Sequence, residues 1–180
     1  MNHQELKEKL LVSWERTLSQ WESLSEETLI GGLTVSLADP ALFWSPQDHL
    51  AHVYGTEKLF QFMIKRFLSN PMPADEDAKS EVAASQTREA EREAFLRQIN
   101  RQNDKWIVKH RDKSFAEVVQ VGEEIRAKSL ELIDGLDESQ LALTVPNAPW
   151  GGGSIAGIIG FNDDHAQMHW EWICAARQGS

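Results

Sequence analysis

The chain has 180 residues, 41% hydrophobic and 26% charged, which is enough for one domain with a substantial core over residues 1–180 and excludes a disordered chain. Its formal net charge of −10 argues against nucleic acid or an anionic membrane as a partner, because phosphate binding needs clustered Lys and Arg. A single cysteine, no signal peptide and no apolar run as long as a membrane span predict a cytoplasmic protein without an internal disulfide.

Apolar residues that recur at steps of three and four predict helices over about residues 4–24, 46–67, 86–103, 115–136 and 154–177. Two of these helices have strong start signals, which are Ser45 followed by Pro46, and Ser114 followed by Glu117. A proline-containing break at residues 70–73 and an acidic loop over 74–81 separate the second and third helices. No stretch alternates at a period of two, so we expect little or no sheet.

The two ends of the chain follow the same order of features. Each has an amphipathic helix, a Leu-[Ser/Asp]-Glu-x-x-Leu stop, a loop, a tryptophan (Trp44 or Trp150) and then a helix that carries histidines. Two similar hairpins suggest a bundle with approximate internal two-fold symmetry, in which both histidine-bearing helices face one core. The alternative is that two helical hairpins of similar length look alike by chance.

Histidines on two of the predicted helices form the candidate site. His165 and His169 are four residues apart, which places them on one helix face at a spacing that lets two imidazoles bind one ion. With His52 they would offer three imidazoles, which bind a divalent ion facially and leave positions open for water and substrate. His49, one turn before His52, is the competing ligand. The alternative is that all are neutral core histidines, each satisfied by a hydrogen bond.

Other residues near the pair are weaker candidates. Cys174 lies off the face of the pair and is typical of a buried structural thiol. One neighbouring carboxylate could orient an imidazole, although a solvent-facing role is equally expected; the three are Asp163, Asp164 and Glu171. Trp170 and Trp172 are expected in the core or in the wall of a pocket. We expect no role for His3 or His110, which fall in a frayed end and a loop.

Several motifs, taken together, resemble a known family. Residues 44–53 read Trp-Ser-Pro-Gln-Asp-His-Leu-Ala-His-Val, and Asp-Lys-Ser-Phe-Ala-Glu-Val follows at 112–118. The Leu-Asp-Glu-x-x-Leu stop, Trp150 and His165-x-x-x-His169 complete the order. This order and spacing resemble the DinB/YfiT-like superfamily of metal-binding four-helix bundles, and within it the DfsB/ClbS-like branch.

The resemblance implies an all-α, up-and-down four-helix bundle, with an additional helical segment or long loop between the second and third bundle helices. It implies a metal site at His52, His165 and His169, because the family's histidine on the second helix follows Leu-Ala. His49 falls on a variable position of that pattern. Members of the superfamily include transferases that use thiols such as bacillithiol, mycothiol-dependent maleylpyruvate isomerases, and self-resistance proteins that act on reactive genotoxins.

The histidines and the resemblance together predict a metal-dependent enzyme of the detoxification or resistance type. It would act on a small electrophilic substrate by thiol S-transfer or by hydrolysis, with Zn, Ni or Fe as the ion and a low-molecular-weight thiol as a co-substrate. The alternative is a non-catalytic bundle that binds or sequesters a small ligand, with structural histidines. Trp14, Trp21 and Trp106 do not fit easily around one four-helix core, so we also expect a homodimer in which helix faces are in contact.

Overall fold

The computed structural model describes residues 1–70, 81–146, 148 and 150–178. Its α-helices in this part of the chain are α1 (His3–Glu22), α2 (Glu26–Ile30), α3 (Pro46–Ser69), α4 (Glu81–His110), α5 (Phe115–Asp134), α6 (Glu138–Ala142) and α7 (Ile155–Gln178). Two strands, β1 (Thr34–Val35) and β2 (Phe43–Trp44), pair in antiparallel fashion between α2 and α3. A 3-10 turn at Gly151–Gly153 leads into α7.

Four long helices, α1, α3, α5 and α7, form the bundle. Helix α3 packs against both α5 and α7, α1 packs against α7 and α5, and α4 packs against α3. The predicted all-α four-helix bundle is therefore confirmed, and α4 is the additional segment between its second and third helices. No helix in the described residues is both long and apolar enough to cross a membrane.

The start of α3 follows directly from its sequence. The Ser45 hydroxyl accepts a hydrogen bond from the backbone N–H of Asp48, and the Asp48 carboxylate accepts one from the N–H of Ser45. Pro46 occupies the first helical position, where no backbone donor is needed. This reciprocal cap fixes the register of the helix, so it sets where His49 and His52 point on the first two turns.

Helix α4 is longer than predicted at both ends. Its last turns pack on α3, since Ile107 is fully buried and the Trp106 indole N–H donates to the carbonyl of Ala51 at 2.7 Å. Helices α2 and α6 were not predicted, because five residues are too few for a periodic pattern to show. Most of the predicted break at residues 70–73 and acidic loop over 74–81 lies outside the described residues. Asn70 caps the end of α3, and Glu81 already belongs to α4.

Both halves of the bundle have the same order of elements. In the first, α1 is followed by the five-residue α2, the short β1–β2 pair and α3. In the second, α5 is followed by the five-residue α6, an isolated bridge between Thr144 and Ser154, and α7. This order supports the interpretation of the chain as two similar hairpins, each of which contributes one histidine-bearing helix.

The three tryptophans that suggested a homodimer all have partners within the chain. Trp21 is fully buried and donates to the carbonyl of Pro46 at 2.6 Å. The ring of Trp14 packs on Tyr54, with the ring centroids 5.1 Å apart, and Trp106 packs on α3. The homodimer therefore has no support from these residues and stays a prediction.

A buried ion pair joins α5 to α3 inside the bundle. Arg126 Nη2 lies 3.0 Å from Glu57 Oε2, and both side chains are almost completely buried. The Ser129 hydroxyl donates to Glu57 Oε1 at 2.6 Å, and Arg126 Nη1 donates to the carbonyl of Leu10 on α1 at 2.5 Å. Burial raises the pKa of Glu57, an effect that Arg126 and Ser129 oppose. The network therefore ties three bundle helices together through charged groups held away from water.

Candidate metal centre

Three histidines from two helices converge inside the bundle. Nε2 of His165 on α7 lies 3.2 Å from Nε2 of His52 on α3 and 3.0 Å from Nε2 of His169. One ligand atom from each of the three lies within 4.8 Å of the others. The three residues are only 3–8% exposed. The structure thus brings together the three residues that the sequence singled out, and they could hold a metal ion.

The spacing of these nitrogens fits one ion. Two nitrogen ligands at about 2.1 Å from a divalent ion are about 3.0 Å apart when they subtend a right angle and about 3.4 Å apart at the tetrahedral angle. The two measured Nε2 separations, 3.0 and 3.2 Å, fall within this range. These two separations are therefore compatible with one ion that His165 shares with His52 and His169.

Burial keeps these imidazoles neutral. It lowers the pKa of His165 to about 4, with a smaller contribution from nearby His49. Burial, followed by the neighbouring imidazoles, also takes the pKa values of His52 and His169 well below the ordinary value. A neutral imidazole carries one nitrogen lone pair, which a metal ligand must offer. The rings are therefore in the ionisation state that binds a cation at neutral pH.

Aromatic side chains surround the three imidazoles. The ring centroid of Trp44 lies 5.1 Å from that of His52, and Phe161 stacks on His165 at 5.9 Å. Trp172 meets His169 edge-on at 4.8 Å and is 45% exposed, so it lies between the centre and solvent. These rings exclude water from most of the centre and strengthen electrostatic interactions inside it.

His49 contacts the centre from outside. Its Nδ1 lies 2.7 Å from Nδ1 of His169, the ring nitrogen that does not face His165. Its Nε2 lies 2.6 Å from the hydroxyl of Thr34 on β1. His49 therefore contacts one candidate ligand and does not join the three converging nitrogens. Thr34 could not be identified from the sequence, because its position depends on the short hairpin that could not be predicted.

The carboxylates near the histidine pair have other partners. Asp163 is bonded to Arg16, Lys9 Nζ lies 3.8 Å from Asp164, and Glu171 accepts a hydrogen bond from Gln167. Among the described residues, the side chain that contacts Nδ1 of His169 is His49, and not one of these three carboxylates. Cys174 is a half-buried free thiol.

The two histidines that were expected to have no role make local contacts. His3 Nδ1 lies 2.8 Å from Glu138 Oε1, a contact that ties the start of α1 to α6. His110 Nδ1 lies 2.7 Å from the carbonyl oxygen of Trp106, within the last turn of α4.

A separate surface pocket of about 370 Å³ lies beside the cap of α3. Its wall includes Phe43, Asp48 and Arg111, and the Arg111 guanidinium donates to the Asp48 carboxylate and to the Phe43 carbonyl, both at 2.7 Å. None of the four clustered histidines is among the described residues that line it. The pocket is therefore distinct from the candidate metal centre.

Comparisons with known proteins agree on the family and the fold. The family model for the DinB superfamily matches residues 9–173. Similar solved structures include the colibactin self-resistance protein ClbS in complex with a dsDNA, at 10% identity and a TM-score of 0.62 over 98% of this chain and 95% of that chain. An uncharacterised protein from Escherichia coli UTI89 is 12% identical, with a TM-score of 0.62 over 99% of this chain and 94% of its own.

A protein from Streptococcus pneumoniae is 14% identical, with a TM-score of 0.64 over 99% of this chain and 91% of its own. At such identities the likeness shows the fold alone. No curated protein matches the chain.

The exclusion of nucleic acid on the basis of net charge is wrong. ClbS, which has a similar fold, was crystallised in complex with a dsDNA. Net charge is a property of the whole chain, whereas phosphate contacts depend on where Lys and Arg are placed on the surface. A formal charge of −10 therefore does not by itself exclude a nucleic acid partner.

Proposed function

Because this chain belongs to the DinB superfamily, we propose that it is a metal-dependent enzyme that acts on a small electrophilic substrate by thiol S-transfer or hydrolysis. The observation that carries the proposal is that Nε2 of His165 lies 3.2 Å from Nε2 of His52 and 3.0 Å from Nε2 of His169, with one ligand atom from each of the three within 4.8 Å of the others. The fold that the chain shares with a self-resistance protein supports a role in detoxification or resistance. A family match that runs over residues 9–173 supports treating residues 1–180 as one domain.

The residues of the centre suit this chemistry. A divalent ion held there lowers the pKa of a coordinated water or thiol and polarises a carbonyl group. The three neutral imidazoles supply the lone pairs, and the aromatic walls limit competing water. Imidazole ligands suit Zn, Ni and Fe alike, so each of these ions is a reasonable occupant. A low-molecular-weight thiol is the expected co-substrate for the transfer reaction.

The test is to load the purified protein separately with Zn, Ni and Fe(II) and to assay a chromogenic electrophile with and without a low-molecular-weight thiol. We expect turnover that requires metal, and the need for thiol distinguishes transfer from hydrolysis. His165→Ala is the matched inactive control, because it removes one of the three candidate ligands and leaves His169 on the same face of α7. Stoichiometric metal without turnover of any electrophile would favour the alternative, a non-catalytic bundle that binds or sequesters a small ligand.

The choice of ligand on α3 gives a second test of the centre. We expect His52→Ala to weaken metal binding far more than His49→Ala, because Nε2 of His52 faces the converging nitrogens and His49 lies behind His169. Competition with a chromogenic chelator measures both dissociation constants. Equal losses in the two variants would mean that four histidines share the site or that the wrong residue on α3 has been assigned.

A second candidate function is binding of double-stranded nucleic acid through α4. Four exposed basic side chains follow one another at four-residue steps along this helix; they are Arg97, Arg101, Lys105 and Lys109. Residues 97–113 contain six Lys and Arg against two Asp, which contrasts with the acidic chain as a whole. On the neighbouring α3, Lys58 Nζ lies 5.1 Å from the centroid of the Trp106 ring, so a further positive charge lies beside α4. The dsDNA complex of ClbS supports this function.

The paired substitution Lys105→Glu and Lys109→Glu should weaken binding to a short random-sequence duplex. We expect wild-type dissociation constants of about 10⁻⁴–10⁻⁶ M and a salt dependence whose slope falls by about one for each lysine removed. Fluorescence anisotropy across a salt titration gives both quantities. The control is Lys128→Glu with Arg177→Glu, which changes net charge equally at exposed positions on α5 and α7. Equal weakening by both pairs would show that only net charge matters.

A further inference from the structure

We propose that His49 and Thr34 form a hydrogen-bonded relay that holds His169 in the tautomer required of a metal ligand. The inference rests on the proposed metal centre and assigns positioning roles to two residues outside the ligand set. Its basis is a continuous chain of contacts from the hairpin to the centre. Thr34 Oγ1 lies 2.6 Å from His49 Nε2, and His49 Nδ1 lies 2.7 Å from His169 Nδ1. His169 Nε2 then lies 3.0 Å from Nε2 of His165.

The rules of imidazole hydrogen bonding allow only two directions for this relay. A neutral imidazole has one N–H and one lone pair, so a bond between two Nδ1 atoms needs the proton on one ring and the lone pair on the other. In the first direction His169 Nδ1–H donates to His49 Nδ1, and His49 Nε2–H donates to the Thr34 hydroxyl. In the second direction the Thr34 hydroxyl donates to His49 Nε2, and His49 Nδ1–H donates to His169 Nδ1.

Only the first direction is compatible with a metal ion at His169. With the proton on Nδ1, His169 presents the lone pair of Nε2 toward the other two imidazoles. In the second direction Nε2 carries the proton and cannot bind a cation. Ligating histidines usually donate their other ring N–H to a fixed acceptor, which sets both the tautomer and the ring orientation. His49 is placed to be that acceptor, and the Thr34 hydroxyl is placed to accept a hydrogen bond from the Nε2–H that His49 then carries.

The surrounding structure holds the relay in place. His49 is 2% exposed and His169 is 3% exposed, so water does not compete for their contact. Thr34 is fixed on β1 by its pairing with Trp44, whose ring packs against that of His49 at 5.4 Å between centroids. The two rings of the relay also pack on each other, with their centroids 5.0 Å apart. The hairpin thus positions Thr34 and helps to hold the orientation of His49.

His165 shows what the relay supplies. Within the described part of the chain its Nδ1 is buried without a hydrogen-bond partner, although it sits on the same helix face as His169. The two ligands from α7 are therefore supported differently, because His169 has an acceptor behind it and His165 does not. Of the two histidines on α7, His169 is therefore the one whose other ring nitrogen has a hydrogen-bonding partner, and binding of the ion selects the first direction of the relay.

The test compares His49→Leu with His49→Asn in the full chain. Leucine removes the acceptor, whereas the Asn side-chain oxygen lies close to the position of Nδ1 and can still accept from His169. We expect His49→Leu to weaken zinc binding by about 10- to 100-fold. At saturating zinc, the variant should still bind as many ions per chain as the wild type. We expect His49→Asn to bind zinc with most of the wild-type affinity. Thr34→Val, which changes the shape of the side chain little, should also weaken zinc binding. Chelator competition measures each dissociation constant.

Nitrogen-15 NMR of the ring nitrogens gives a readout that a merely structural role would not move. In zinc-loaded wild type, Nδ1 of His169 should carry the proton and Nδ1 of His49 should not. In metal-free protein, one Nδ1 of the pair should be protonated and the other not.

Two unprotonated Nδ1 atoms, or equal zinc affinity in wild type and His49→Leu, would overturn the relay. Loss of all zinc in His49→Leu would also overturn it, since His49 would then be a ligand. If the wild-type protein bound no zinc, the proposed function would be contradicted. The spectrum of the metal-free protein would still test the relay.

Discussion

His169→Ala should remove nearly all of the metal from a protein that otherwise holds about one divalent ion per chain. One of the three ligands is lost, and a site with two imidazoles from different helices no longer closes around an ion. The substitution also leaves His49 Nδ1 without the partner that it contacts at 2.7 Å. Elemental analysis after reloading with Zn or Ni, followed by desalting, measures the ratio of metal to chain.

The matched control for this experiment is His3→Ala. His3 lies at the start of α1 and contacts Glu138, so its removal deletes an imidazole without touching the centre. We expect the control to keep the wild-type metal content, and circular dichroism of both variants checks that the helices remain. Wild type with no metal after reloading would contradict the enzyme in the form proposed. Equal metal in wild type and His169→Ala would remove His169 from the ligand set.

Arg126→Leu should destabilise the fold by about 3–5 kcal/mol at pH 8, because it leaves the buried Glu57 carboxyl without its counter-charge. The pair is 3.0 Å apart with side chains only 6% and 0% exposed. Urea unfolding followed by circular dichroism measures the free energy of unfolding. Replacing both partners, as Glu57→Leu with Arg126→Leu, should recover much of the loss, since two apolar side chains leave no unpaired charge.

The effect of Arg126→Leu should shrink toward low pH. The pKa of Glu57 is raised in the folded protein by burial, and Arg126 acts against this rise. Removing Arg126 raises the folded pKa further, so the folded variant binds its proton more tightly than the unfolded chain does. The stability that this proton provides is present below the unfolded pKa and is lost as pH rises through the folded pKa. The difference from wild type should therefore be smaller at pH 5 than at pH 8.

The control for this prediction is an ion pair of the same type on the surface. Arg97 Nη1 lies 3.2 Å from Glu93 Oε2, with side chains 61% and 62% exposed. Arg97→Leu should change the free energy of unfolding by less than about 1 kcal/mol, because solvent screens an exposed pair. A similarly small change in Arg126→Leu at pH 8 would show that Glu57 is uncharged or hydrated in the folded protein.

Features that depend on local sequence were predictable, and features that depend on distant contacts were not. The cap of α3 and the shared face of His165 and His169 follow from short spacings within single helices. The pairing of that face with His52 needed the family resemblance, because no local pattern says which helices meet. Thr34 could not be found in this way, since it reaches His49 only through a two-residue strand pair.

Two features of the structure that involve charge could not be seen in the sequence. The net charge of −10 does not reveal the exposed basic side chains of α4, because a net charge does not say where in the chain the charged residues lie. Glu57 belongs to a helix with an amphipathic pattern, in which a glutamate indicates a solvent-facing position, yet it is fully buried. Its partner Arg126 lies in another helix, so only the folded structure shows why burial of the carboxyl is tolerated.

The position of the three histidines in the two hairpins has a consequence for folding. His52 and His165 are 113 residues apart in the chain, and each lies in a different half of the bundle. An ion that binds them acts as a reversible cross-link between the halves, and the unfolded chain gains little from it because it must first close that long loop. At a free metal concentration of one hundred times the dissociation constant, such binding adds about 2.7 kcal/mol to the stability of the native state. The free metal concentration would then set the stability of the native state, in which the two hairpins are packed together, whether or not a reaction takes place at the centre.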